Sequence, residues 1–161
     1  MKYLIQIWYK NEDLNSRSLI YKNEIKDLLK KEIKMKTIQN YLIELNSDEK
    51  IAEFIAQNLL QDKVIEDYRI CNDENVDYFE INGENDFGWV IKVDLKKGVT
   101  NPNDEIILKH LKKILGEKVI NVKTSTTFYL DKKLNENEIK IIVKRILANE
   151  LIHDVYIRSI K

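Results

Sequence analysis

The chain repeats itself once, and this internal repeat limits the folds open to it more than any other feature. Residues 59–70 read LLQDKVIEDYRI, and residues 146–157 read ILANELIHDVYI. Matching positions are 87 residues apart at this end of the repeat and 86 residues apart at its front. The matches are collinear and include Tyr3 with Trp89, Ile5 with Ile91, Ile7 with Val93, Leu60 with Leu147, Ile65 with Ile152, and Ile70 with Ile157. This pattern predicts two copies of one structural module.

The second copy shows the order of its elements more clearly than the first. Apolar and polar residues alternate from Trp89 to Leu95, which is typical of a half-buried strand. Asn101 and Pro102 predict a helix start, because asparagine caps a helix and proline is tolerated at its first position. The elements predicted after that strand are a helix ending at Gly116, strands at 119–122 and 126–130, a helix from Asn135 to Leu147 with a capping box to Glu138, and a strand at 151–157. The first copy follows the same order more loosely, with Ser47 as the predicted cap of its second helix.

This order of elements predicts an α+β fold with two β-α-β-β-α-β (ferredoxin-like) modules. Each module is expected to be a four-stranded antiparallel sheet with two helices on one face. The predicted division is a first repeat at 1–72, an acidic linker at 73–88 and a second repeat at 89–161. Apolar residues fall on both faces of the strands, so the second face needs a cover. We expect the two modules to cover each other as a pseudo-dimer; a separate subunit is the alternative.

Charge is balanced overall but unevenly distributed along the chain. There are 27 basic and 27 acidic residues, a balance that argues against a binder of nucleic-acid backbones. Residues 73–88 contain six acidic residues and no basic one, whereas residues 89–161 contain fifteen basic and nine acidic residues. Two interpretations stay open. Either the linker lies against the second repeat and screens its charge, or it is a solvated connector.

The compartment is predicted from what the chain lacks. Its one cysteine, Cys71, excludes an internal disulfide and fits a reducing cytoplasm. The N-terminal apolar stretch is too short for a signal peptide, and no run reaches the ~20 apolar residues of a membrane span. We therefore expect a cytoplasmic protein without a membrane partner.

No set of residues with catalytic or metal-binding spacing is visible, so no catalytic residue, metal or cofactor is predicted. His110 is expected to face solvent, and His153 replaces Glu66 of the first repeat as a strand-surface residue. Cys71 lacks an evident histidine partner for nucleophilic chemistry. The one sharp motif is a strand exit, a glycine and a capped helix start; its residues are Lys97, Gly98, Val99, Asn101 and Pro102. Such a helix start can bind an anion, although most serve simply as turns, and a subunit contact is the other interpretation.

Around this motif the sequence resembles the PurS-type small subunit of phosphoribosylformylglycinamidine synthase. Residues 95–116 contain the Gly-Val pair and the Asn-Pro helix start that this family typically shows, with Asn for the usual Asp. Residues 147–156 and 60–68 resemble the end of the family's sequence. The family's Arg-x-Gly-Lys turn between its second and third strands is replaced by Lys123-Thr124-Ser125-Thr126 and by residues 36–39.

The resemblance implies a non-catalytic subunit in de novo purine biosynthesis. Such a subunit bridges the glutaminase subunit and the large ATP-dependent synthetase subunit, and the tandem repeat would replace a homodimer; further self-association stays open. Two other classes are possible on the same topology. A regulatory module would bind an amino acid or another small metabolite near Gly98, and an RNA-binding module would need exposed aromatic residues in a basic setting, for which only Phe128 and Tyr129 are available.

Overall fold

The computed structural model describes residues 1–72 and 86–160. The acidic linker therefore lies almost entirely outside the described residues, and so does the interpretation that it screens the second repeat. The strands and helices are β1 (Lys2–Tyr9), α1 (Ser16–Leu29), β2 (Met35–Leu45), α2 (Glu49–Ile55, extended by a π-helical turn Ala56–Leu60), β3 (Glu66–Cys71), β4 (Phe87–Leu95), α3 (Pro102–Leu115), β5 (Val119–Asp131), α4 (Glu136–Ile142, extended by a π-helical turn Val143–Leu147) and β6 (His153–Ser159). No helix within the described ranges has the length and apolar character to cross a membrane.

The strands are antiparallel where their register is defined and follow the order β3-β1-β2-β5-β4-β6. The α+β class is confirmed, but the count of four strands per module is wrong. The two strands predicted at 119–122 and 126–130 are one strand of 13 residues, β5, and the first repeat has the similarly uninterrupted β2 of 11 residues. The segment between the two predicted strands, Lys123 to Ser125, contains no glycine, proline or asparagine, and Thr124 favours extended backbone. The chain therefore continues straight where a hairpin was expected.

The chain forms two compact units, each of which takes segments from both repeats. Unit 1 comprises residues 1–10, 38–77 and 100–125. Its core packs β1 and the later part of β2 against α2 and α3. The fully buried side chains there include Ile5, Ile43, Ile55 and Leu111, each 0% exposed. Leu111 lies on the first helix of the second repeat, so that helix completes the core around the first repeat's strands.

Unit 2 comprises residues 11–37, 78–99 and 126–161. Here β4 and the later part of β5 pack against α4 and against α1, the first helix of the first repeat. Ile25 of α1 shares this core with Ile91, Phe128 and Ile139, and the ring of Tyr21 meets the ring of Phe128 edge-on at 5.4 Å.

The first helix of each repeat is thus exchanged, and the long strands are the reason. Neither β2 nor β5 turns back after the helix that precedes it. Each of these strands therefore begins in the unit that contains its preceding helix and ends in the other unit. The compact units consequently do not follow the boundaries 1–72 and 89–161. As boundaries of the sequence repeat, those ranges stay a prediction.

Both faces of the central strands are buried. On β1 of unit 1, Ile5 and Ile7 point into the helix-bearing core, while Leu4 and Gln6 on the opposite face are 6% and 1% exposed. Gln6 donates from Nε2 to Asn40 Oδ1 at 3.2 Å, which partly satisfies this buried amide. The expectation that the sister module provides the cover stays a prediction.

Local helix signals in the second repeat are confirmed. Asn101 caps α3 with Pro102 at the first turn, Gly116 ends that helix at φ +62°, and Asn135 forms a capping box with Glu138. The cap predicted at Ser47 is wrong. Asp48 caps α2 instead, since its side chain accepts from the backbone N–H of Lys50.

Candidate functional site

The first part of the predicted motif is an exposed turn at the end of β4, in unit 2. Lys97, Gly98 and Val99 are exposed, and the turn is closed by the N–H of Val99, which donates to the carbonyl of Lys96 at 3.0 Å. Gly98 has φ +89° and open space around its α-carbon, so backbone conformation requires glycine here rather than crowding. The turn presents a lysine and a valine to solvent, which suits a contact surface better than an enclosed ligand site.

The second part of the motif lies in unit 1 and joins α3 to β5. Asn101 accepts from the backbone N–H of Asn103 at 2.9 Å and donates from its amide to Thr124 Oγ1 at 3.1 Å. The carboxylate of Asp104 accepts from the backbone N–H of Thr124 at 3.1 Å and from its hydroxyl. The helix start is therefore occupied by its own side chains, and the Asp104 charge disfavours an anion there. We call this arrangement the α3 clasp (Asn101, Asp104, Thr124).

A second clasp joins α1 to β2 in unit 2, at the matching positions of the first repeat. We call it the α1 clasp, and its residues are Glu12, Asn15, Ser18 and Thr37. The backbone N–H of Thr37 donates to Glu12 Oε1 at 3.1 Å, and the Asn15 amide and the Ser18 hydroxyl donate to the same oxygen. Glu12 supplies the carboxylate from a 3-10 helical turn (Glu12–Leu14) that precedes α1, whereas Asp104 supplies it from within α3. Burial is the largest influence and raises the pKa of Glu12, although its hydrogen bonds act in the opposite direction.

The two histidines and the cysteine do not come together. His110 is exposed on α3, as predicted, whereas Cys71 is buried at the end of β3. His153 begins β6 and accepts at Nδ1 from the backbone N–H of Asn149 at 2.9 Å. Among residues 1–72 and 86–160, no three histidine, cysteine or acidic side chains are grouped so that they could hold a metal ion.

His153 occupies the position of a carboxylate in the first repeat. There the backbone N–H of Asp62 donates to Glu66 Oε1 at 2.8 Å, in the same turn before the last strand. In both repeats the side chain that opens the last strand thus fixes the turn behind it. For this role His153 must keep Nδ1 unprotonated, so a neutral ring carries its proton on Nε2.

The edge strand of unit 1 is closed against its helix by a polar network. Tyr68 of β3 donates from its hydroxyl to Glu53 Oε2 at 2.6 Å, and Gln57 donates from Nε2 to the same hydroxyl at 2.7 Å. The hydrogen bond to the Glu53 carboxylate is the main reason why the pKa of Tyr68 is raised. The tyrosine ring also packs, partly buried, against the core of unit 1.

The same place in unit 2 is an open cavity of about 420 Å³ between β6 and α4. We call it the unit 2 groove. Its basic residues are Lys96, Lys140, Lys144 and His153, its acidic residues are Glu150 and Asp154, and its apolar residues are Val143, Ala148, Val155 and Ile157. Sequence reasoning missed it. The signal was present in the repeat alignment, where Val155 matches Tyr68 and Lys144 matches Gln57.

Comparison with known proteins gives one consistent result for the second repeat. Residues 89–161 match the family model PurS, phosphoribosylformylglycinamidine (FGAM) synthase. A similar solved structure is the crystal structure of PurS from Methanocaldococcus jannaschii, one of the subunits of formylglycinamide ribonucleotide amidotransferase in the purine biosynthetic pathway. The sequences are 30% identical over 47% of this chain and 96% of that chain, with a TM-score of 0.41. No curated protein matches the chain.

Proposed function

We propose that this chain, which belongs to the PurS family, is a non-catalytic structural subunit of phosphoribosylformylglycinamidine synthase in the cytoplasm. The supporting observation is the sequence match: residues 89–161 fit the family model, and nearly the whole of a PurS chain is covered at 30% identity. That relative is one of the subunits of an amidotransferase in purine biosynthesis. The proposed role is to bridge the glutaminase subunit and the large ATP-dependent synthetase subunit.

Divergence between the repeats supports two different partners. The edge of unit 1 is closed by Tyr68, whereas the edge of unit 2 is open and lined by lysines. Phe54 on α2 and Ile141 on α4 occupy matching positions of the two repeats, and each is 41% exposed. A large apolar side chain that stays half exposed on a helix is a candidate contact for another protein.

Reconstitution with the two partner subunits of the same organism tests the role. Glutamine-dependent formation of the amidine product should require this chain, because the chain couples the two partners. Ammonia-dependent formation by the synthetase should proceed without it. If the chain co-elutes with neither partner in size-exclusion chromatography, the subunit role is wrong.

Two pairs of variants locate the contacts. Phe54→Asp and Ile141→Asp are matched substitutions on the two helices, and each should abolish binding of one partner and leave the other unchanged. Equal loss of both partners from either variant would contradict specialised faces.

Lys97→Glu tests whether the exposed turn after β4 is a subunit contact. Lys133→Glu is the control, at an exposed turn after β5. Only Lys97→Glu should weaken assembly with the partner subunits.

A further inference from the structure

We propose that the unit 2 groove binds a small metabolite that carries one anionic group, a carboxylate or a phosphate, beside amino or hydroxyl donors. Its volume of about 420 Å³ lies within the range of small-molecule sites, roughly 300–1,000 Å³. This site is separate from the subunit role, since it is built from side chains of a single unit and needs no partner protein.

The lysines of the groove supply the attraction for an anion. Lys140 is paired with Glu136 at 3.5 Å along its own helix, with both side chains mostly exposed. The ammonium groups of Lys96 and Lys144 have no ion-pair or hydrogen-bond partner among residues 1–72 and 86–160. Two uncommitted ammonium groups beside an apolar wall can bind a carboxylate or phosphate, because the wall lowers the local dielectric constant.

His153 gives the site a directed donor. Its Nδ1 accepts from the N–H of Asn149, which holds the ring in place and leaves the Nε2 proton available to a ligand. The carboxylates of Glu150 and Asp154, which also line the groove, have no partner in the described part of the chain either. These carboxylates disfavour ligands with several negative charges and can accept from amino or hydroxyl groups, as in an amino acid or a sugar phosphate.

The first repeat shows what the same position looks like when it is not a groove. Three differences close it: Glu53 stands at the position of Lys140, Gln57 at that of Lys144 and Tyr68 at that of Val155. Those three residues form one hydrogen-bonded set. Imperfect packing alone would not explain why both helix positions carry lysine and why the strand carries valine in place of the larger tyrosine. These three differences together indicate a binding site.

Titration of the intact chain at a fixed 150 mM chloride, followed by amide signals in NMR spectra, tests the site; that salt level is about physiological. The probes are serine, ribose 5-phosphate and inorganic phosphate, which separate the carboxylate from the phosphate source. We expect saturable binding of at least one probe, with the shifted signals confined to residues 140–157 and to the segment around Lys96. Absence of saturable binding for all three, or shifts spread over both units, would overturn the assignment.

Substitutions taken from the sister repeat give the decisive comparison. Lys144→Gln should weaken binding about tenfold, the effect of losing one charge-assisted hydrogen bond. The combined variant K140E/K144Q/V155Y should abolish binding by rebuilding the closed network.

Lys109→Gln is the control, at an exposed lysine of α3 in unit 1. It should change the affinity less than about twofold, since exposed charges are largely screened. Equal losses in Lys144→Gln and Lys109→Gln would mean nonspecific attraction and overturn the site. If the combined variant does not fold, Lys144→Gln alone decides.

Discussion

At the scale of single residues, Gly88 is the position where the backbone leaves no room for a side chain. A β-carbon there would lie 2.7 Å from Lys132 Cα, a backbone atom that cannot move aside. The register of β4 against β5 shifts between Phe87 and Trp89, so the glycine lies at an irregularity of the ladder. We expect Gly88→Ala to lower the free energy of unfolding by about 1–3 kcal/mol, the range for overpacking.

Urea unfolding measures this loss, with Gly98→Asn as the control. Gly98 has open space around it, and asparagine tolerates positive φ, so the control should lose less than about 1 kcal/mol. A loss for Gly88→Ala no larger than that of Gly98→Asn would contradict the close approach.

The role of His153 is also a single-residue prediction. His153→Ala removes the acceptor for the Asn149 N–H and should cost about 0.5–1.5 kcal/mol of unfolding free energy. His153→Glu copies Glu66 of the first repeat and should restore most of this stability, because a carboxylate accepts the matching N–H there. Thermal and urea unfolding of the two variants would contradict this role if glutamate proved no better than alanine.

At the scale of elements, the α1 clasp predicts an unusual pH dependence. Its Glu12 has a raised pKa, mainly through burial, so folding favours the protonated form. The stability that Glu12 contributes is full below its ordinary pKa of 4.5 and is lost as pH rises through the raised folded value. Glu12→Gln cannot ionise. We therefore expect its unfolding free energy to rise relative to that of the wild type as the pH is increased from 4.5.

Glu138 in the same unit provides a control of opposite sign. A hydrogen bond from Lys31 at 2.7 Å is the largest influence and lowers the pKa of Glu138. Its contribution is present above 4.5 and is lost as pH falls through the folded value. Glu138→Gln should therefore fall behind the wild type at high pH and converge with it in acid. Urea titrations across this range measure both variants, and parallel pH profiles for the two would contradict these assignments.

Sequence predicted the elements well where the signal was local. The Asn101-Pro102 helix start and the Asn135–Glu138 capping box depend on residues within one turn, and both were confirmed. The hairpin predicted inside β5 was wrong: it followed from the expected four-stranded module, whereas the segment 123–125 lacks glycine, proline and asparagine. The unit 2 groove was missed because Lys140 and Val155 are distant in the sequence. They line one cavity only when β6 packs beside α4.

At the scale of the whole molecule, the exchange of α1 and α3 could not be predicted from the sequence. The apolar stripe of α1 predicts that Ile25 is buried. It does not predict which strands cover Ile25, because the strands of both repeats have similar apolar faces. Only the uninterrupted course of β2 decides that Ile25 packs in unit 2 with Phe128 and Ile139. Each unit therefore depends on both repeats, although the repeats are separate in sequence.

This exchange predicts that cutting the chain between the repeats leaves its halves together. A protease site is placed within residues 73–85 and the folded chain is treated with the protease; once the chain is cut, the fragments should co-elute as one species in size-exclusion chromatography. They should stay associated on dilution, because α1 from the first fragment completes the core of unit 2 and α3 from the second completes that of unit 1. Ile25→Ala in the first fragment should weaken the association of the fragments, since truncating a buried isoleucine costs about 2–5 kcal/mol. Lys22→Ala is the control, at a partly exposed position of α1, and should leave the association nearly unchanged. Fragments that separated on dilution and each kept a cooperative unfolding transition as a monomer would show instead that every repeat folds by itself around its own first helix.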